Sequence, residues 1–88
     1  MLQPVYLNRF EKEFKKMKKR GKDPEKFFTV LALLLEGKPL PPKYHNHKLK
    51  GEYRDHWECH IEPDWLLVYR KTSTQIILVD TDTHSNLF

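Results

Sequence analysis

The chain has 88 residues, a length that suits one domain with a modest core. Hydrophobic residues make up 39% and charged residues 32%, in a periodic pattern unlike that of a disordered chain, and no apolar run is long enough to span a bilayer. The net charge of +4 is uneven: residues 1–50 hold 13 Lys and Arg against 5 Asp and Glu, and residues 51–88 hold 3 against 7, so a basic platform precedes an acidic half.

Met1-Leu2-Gln3-Pro4 has no basic segment followed by an apolar one, so no signal peptide is expected. Cys59 is the single cysteine, which rules out an internal disulfide and fits a reducing cytoplasm. Gln3-Pro4-Val5-Tyr6 reads as a short edge strand. Asn8-Arg9-Phe10-Glu11 reads as a helix start, with Asn8 as the cap and Glu11 three residues later. Leu7, Phe10, Phe14 and Met17 follow at helical spacing and form one apolar stripe, while lysines fill the other faces. Gly21 stops this helix. A second helix begins at Asp23-Pro24, where Asp caps and Pro is tolerated in the first turn. Phe27, Phe28, Val30, Leu31, Leu34 and Leu35 give it a broad apolar face, and Gly37 with Pro39, Pro41 and Pro42 ends it.

From Lys38 to Lys50 the chain is rich in proline and histidine, and after it the period changes from helical to alternating. Glu52 to Asp55, Trp57 to Ile61, Trp65 to Lys71 and Gln75 to Thr81 read as strands, with Glu62-Pro63-Asp64 and Thr72-Ser73-Thr74 as turns. The continuous apolar runs Trp65 to Val68 and Ile76 to Val79 suit central strands under helices. The expected fold is α+β, two N-terminal helices packed on a twisted antiparallel sheet of about four to five strands.

Five histidines are many for this length, and a meander brings distant strand ends to one sheet edge. His47, His60, Asp64 and His84 are therefore candidates for one cleft. Phosphodiester cleavage by general acid–base catalysis needs two proton carriers, and histidine pairs suit it. A lone histidine is more often structural or exposed, the favoured reading for His45 and His56. A metal site competes less well: His56 and His60 stand four apart on a strand, roughly 13 Å, too far to share an ion. Cys59 alternates with Trp57 and Ile61 on a face expected to be buried, so it is read as packing. Trp65, Tyr53 and Phe88 are candidates to stack on bases, with core as the other reading for Trp65 and the favoured one for Tyr69. The basic helix, through Lys12, Lys15, Lys16, Lys19 and Arg20, is expected to attract polyanions or an acidic partner, with a solvated helix face as the plain alternative.

His47-x-Leu49-x-Gly51, then Arg54-Asp55, then Cys59 through Tyr69, then Thr83-His84-Ser85-x-Leu87-Phe88 together resemble the YafQ branch of the RelE/ParE toxin superfamily. The resemblance implies a bacterial type II toxin, a ribosome-dependent endoribonuclease that cuts mRNA without metal or cofactor. It also implies a cognate antitoxin protein, operator DNA bound only through that antitoxin, and no membrane. His47, His60, Asp64, Trp65, His84 and Phe88 match the family's active-site positions. The implied chemistry is attack of a ribose 2′-hydroxyl on the adjacent phosphate. His84 and His60 would carry protons, Asp64 would orient an imidazole or carry a proton, His47 would contact phosphate, and Trp65 and Phe88 would position a base. The chain departs from its relatives at Asp80, where several carry arginine, and at Asp82 and Asn46. A carboxylate at Asp80 would repel the developing phosphorane, so Arg54, Lys50 and Arg70 are candidate substitute cations. A ParE-like inhibitor of DNA gyrase and a catalytically weak antitoxin-binding scaffold remain as alternatives.

Overall fold

The computed structural model describes residues 1–83. Strand β1 (Gln3–Tyr6) leads into helix α1 (Asn8–Lys19) and then helix α2 (Pro24–Leu35). Strand β2 (His47–Lys48) follows two residues beyond a 3-10 turn at Pro42–Tyr44, and a second 3-10 turn, Gly51–Tyr53, precedes β3 (Trp57–Glu62), β4 (Trp65–Lys71) and β5 (Gln75–Thr83). The sheet order is β1-β5-β4-β3-β2. All neighbours are antiparallel except β1 and β5, which run parallel from Gln3 opposite Gln75 to Tyr6 opposite Leu78. The sheet is thus mixed, where the sequence suggested a purely antiparallel one.

Both helices end where the glycines predict, Gly21 at φ 91° and Gly37 at φ 73°, values that favour a residue without Cβ. Helix α2 is capped as expected: the Asp23 carboxylate accepts the Glu25 N–H at 3.0 Å. Helix α1 is not capped by Asn8, which is already its first helical residue, and among the described residues no side chain caps that end. The reason is local. The Leu7 N–H is still paired with the Leu78 carbonyl at 3.1 Å, so the chain passes from strand to helix without a separate cap residue. Glu52 to Asp55 also departs from expectation. Gly51, at φ 70°, starts a 3-10 turn whose side chains are exposed, and nothing there offers an apolar face for a sheet.

The helices bury Phe10, Met17, Phe27, Val30, Leu31 and Leu34 against Cys59, Ile61, Trp65, Leu67, Tyr69, Ile76 and Leu78. Phe10, Phe14 and Phe27 form a ring cluster with centroids 4.9–5.4 Å apart, whereas Phe28, expected on the apolar face, lies at its exposed edge. Two pairing shifts bend the sheet. One falls between His60 and Glu62, where Ile61 is the extra residue, and the other falls beside Val79. Bulges re-aim neighbouring side chains, and the first lies directly beside His60.

Candidate active site

Alternation divides the strands between two faces. Trp57, Cys59 and Ile61 face the helices, so Glu58 and His60 face the other way. The register then lines up His47, Glu58, Val68 and Asp80 as direct neighbours across four strands, with His60, Leu66 and Asp82 as the next row. Directly paired residues share a face, so this side of the sheet collects the titratable groups.

At its centre is Glu58, which sequence reasoning missed. Its carboxylate is buried, with Oε1 3.5 Å from His47 Nε2 and 3.8 Å from His60 Nε2, distances of ion pairs more than of hydrogen bonds. Its Oε2 has no hydrogen-bond partner among the described residues. The other ring nitrogens are committed. His47 Nδ1–H donates to the His45 carbonyl at 2.8 Å, and His60 Nδ1–H donates to the Pro63 carbonyl at 3.3 Å. Carbonyls only accept, so these contacts put a proton on each Nδ1 and turn both Nε2 atoms toward Glu58. Two neutral rings would then aim lone pairs at a carboxylate. The mark of Glu58 in the sequence is only its place two residues before His60, and so on the same face of the strand.

His45, favoured as structural or exposed, packs its ring against that of His60, with centroids 5.3 Å apart. Asp64 lies exposed in the turn to which His60 is tied through Pro63. His84 and Phe88 lie outside the described residues. Arg54 and Lys50 are exposed beside the Gly51–Tyr53 turn. Trp65 is the clearest correction among the base-stacking candidates. It is 0% exposed, and its indole N–H donates to Thr81 Oγ1 at 2.8 Å, which in turn donates to the Leu66 carbonyl at 2.7 Å. A ring so enclosed and so bonded is core. Tyr69 is core as expected, with its hydroxyl donating to Asn46 Oδ1 at 2.7 Å and its pKa raised by burial. Cys59 is buried, and desolvation with the nearby Glu58 charge pushes its thiol up to about 12, so it is no nucleophile.

Asp80 does not meet the site as a bare charge. Its carboxylate accepts Arg9 Nε at 2.9 Å and the Thr81 N–H at 2.9 Å, and Arg20 stands 3.7 Å from Asp82. Burial raises the Asp80 pKa and the Arg9 charge opposes that rise. The cations that meet these two carboxylates are Arg9 of α1 and Arg20, the residue just after it. On the outer face of α1, Lys12, Lys15, Lys16 and Lys19 line a shallow hollow of about 390 Å³ with Asn8 and Glu11.

A small mixed sheet under two helices, with imidazoles gathered on the face turned away from the helical core, is the frame of a type II toxin. The profile of the bacterial toxin of type II toxin-antitoxin systems, YafQ, matches residues 2–88, and the chain belongs to that family. The mRNA interferase toxin YafQ of Escherichia coli K12 is 36% identical over 84 residues, covering 94% of this chain and 91% of that protein. The E. coli DinJ–YafQ complex contains a chain 34% identical, with coverage of 100% and 99% and a TM-score of 0.91. A copper-bound L66S mutant toxin from Helicobacter pylori is 36% identical, with full coverage of both chains and a TM-score of 0.95. The copper belongs to that protein. Among the described residues of this chain no group of three His, Cys, Asp or Glu side chains is arranged to hold an ion. None of the described helices is long and apolar enough to cross a membrane.

Proposed function

We propose that the chain is an mRNA interferase that acts on the ribosome. It cuts by attack of a ribose 2′-hydroxyl on the adjacent phosphate, leaving a 2′,3′-cyclic phosphate and a 5′-hydroxyl. One observation carries this reading: two imidazole Nε2 atoms converge within 3.8 Å on one buried carboxylate oxygen. The reaction needs one proton removed from the 2′-hydroxyl and one delivered to the leaving 5′-oxygen. The cluster of Glu58, His47 and His60 can take the first. Glu58 and His47 serve as the accepting side, and His60, tied to the turn that carries Asp64, is a proton carrier beside them. His84 remains the second proton carrier and Phe88 the stacking platform on the strength of the family match. Trp65 acts only indirectly, by fixing β4 against β5.

Lys12, Lys15, Lys16 and Lys19 form the ribosomal RNA contact, with Arg20 at the end of the same helix. A cognate antitoxin is the protein partner, as DinJ is for the E. coli YafQ, and an acidic segment of it covers the cleft or the basic face. The protein works in the cytoplasm, where translating ribosomes are. The test is to supply ribosomes programmed with an mRNA carrying a single 2′-deoxy nucleotide at the mapped cut. The deoxy message should stay intact while the all-ribose message is cut to cyclic phosphate ends. Equal cutting of both would overturn the mechanism, and equal cutting of free and ribosome-bound RNA would overturn the ribosome requirement.

A further inference from the structure

Beside the paired imidazoles lies a cavity of about 490 Å³ walled by Lys43, His45, His47, His60 and Pro63. Four of these five side chains are basic, and no carboxylate lines it among the described residues. The cleavage chemistry uses His47 and His60 and leaves Lys43 and His45 without a task. His45 is held there against its backbone preference. At φ 47° and ψ 43° it is the only non-glycine residue with positive φ among the described residues, a region that disfavours any residue with a Cβ. Its N–H donates to the Pro42 carbonyl at 3.0 Å, and its carbonyl accepts from His47 at 2.8 Å. This turn brings the imidazole to the ring of His60. Lys43 is held from the other side, its ammonium 5.1 Å from the centroid of the buried Tyr44 ring.

We propose that Lys43 and His45 form a second phosphate subsite, continuous with the cutting site, that grips a backbone phosphate neighbouring the one being cleaved. The assignment rests on the endoribonuclease reading. An ammonium and an imidazole N–H are donors suited to a phosphate oxygen. An acidic side chain of an antitoxin carries the same charge, but the cavity shares His47 and His60 with the reacting phosphate, so the strand being cut runs past it.

The test compares a nucleoside 3′,5′-bisphosphate with the 3′-monophosphate, titrated into the wild-type protein by calorimetry. The wild type should favour the bisphosphate about tenfold or more, the usual worth of a charge-assisted contact. Lys43→Ala and His45→Gly together should bring the ratio near one and leave monophosphate binding unchanged. Glycine takes positive φ freely, so His45→Gly keeps the turn and the carbonyl that holds His47. His45→Asn, which also tolerates that conformation, should recover part of the preference if donation matters. A wild type without preference, variants that keep it, or variants that lose both ligands equally would overturn the subsite. So would variants that weaken only antitoxin binding. Failure of the wild type to cut RNA while the bisphosphate preference stands would defeat the enzymatic reading and leave the anion site in place.

Discussion

Glu58→Gln separates the chemistry of the site from its stability. In the wild type, both Nδ1 protons are donated to backbone carbonyls, so both Nε2 lone pairs face one carboxylate oxygen at 3.5 and 3.8 Å. The amide of glutamine has the same shape and can donate to one of those nitrogens. Buried charge is replaced by a neutral donor, and the folded state should lose nothing beyond about 1 kcal/mol and can gain. Catalysis should behave differently, because an amide cannot accept the 2′-hydroxyl proton. The expected loss is about 10²–10⁴-fold in the single-turnover rate, the range for a positioned acid or base. The assay is cleavage of end-labelled message on programmed ribosomes, run beside urea denaturation of the same preparation. A variant that cuts at the wild-type rate would remove Glu58 from the chemistry. A variant less stable by several kcal/mol would mean that the carboxylate is a structural keystone instead.

Thr81→Val deletes the hydroxyl that accepts from Trp65 and donates to Leu66, leaving a buried indole N–H unpaired at a cost of about 1–3 kcal/mol, read as a lower denaturation midpoint with an unchanged slope. The Glu62 pKa is lowered, chiefly by its hydrogen bond from Lys26 and against opposition from burial, with Lys22 also helping. A depressed carboxylate contributes stability above its unfolded pKa, near 4.3, and loses it as the pH falls through the folded value, so Glu62→Gln should flatten the acid limb of the stability profile. Charge reversal at Lys15, Lys16 and Lys19 should weaken ribosome association, and wild-type binding should fall steeply with salt; binding indifferent to either change would contradict the basic-helix contact.

The helices were legible because their signals are local. Asp23-Pro24 and the two glycines act within a turn of where they stand. The parallel pairing of β1 was not legible, since the direction of an edge strand is set by distant packing. Glu52 to Asp55 carries strand-like residues, yet Gly51 turns the chain and among the described residues no partner strand pairs with them. In the site, His47 and His60 were visible as residue types. Glu58 was not, because a carboxylate is expected at the surface and only the register across β2, β3 and β4 shows it beneath two imidazoles. Trp65 looked available for stacking because its hydrogen-bond partner, Thr81, is sixteen residues away on β5. His45 could not be read from sequence, since its importance lies in a left-handed backbone that brings an ordinary exposed imidazole to His60.

The central claim is that Glu58, His47 and His60 act together as one catalytic cluster, and the pH dependence of the single-turnover rate on programmed ribosomes tests it most directly. The wild type should give a bell-shaped profile, one limb reporting the group that takes the 2′-hydroxyl proton and the other the group that protonates the leaving oxygen. Glu58→Gln and His60→Ala should each abolish or displace a limb as well as lower the maximum. A flat wild-type profile, or variants slower by a constant factor with both limbs in place, would contradict the account.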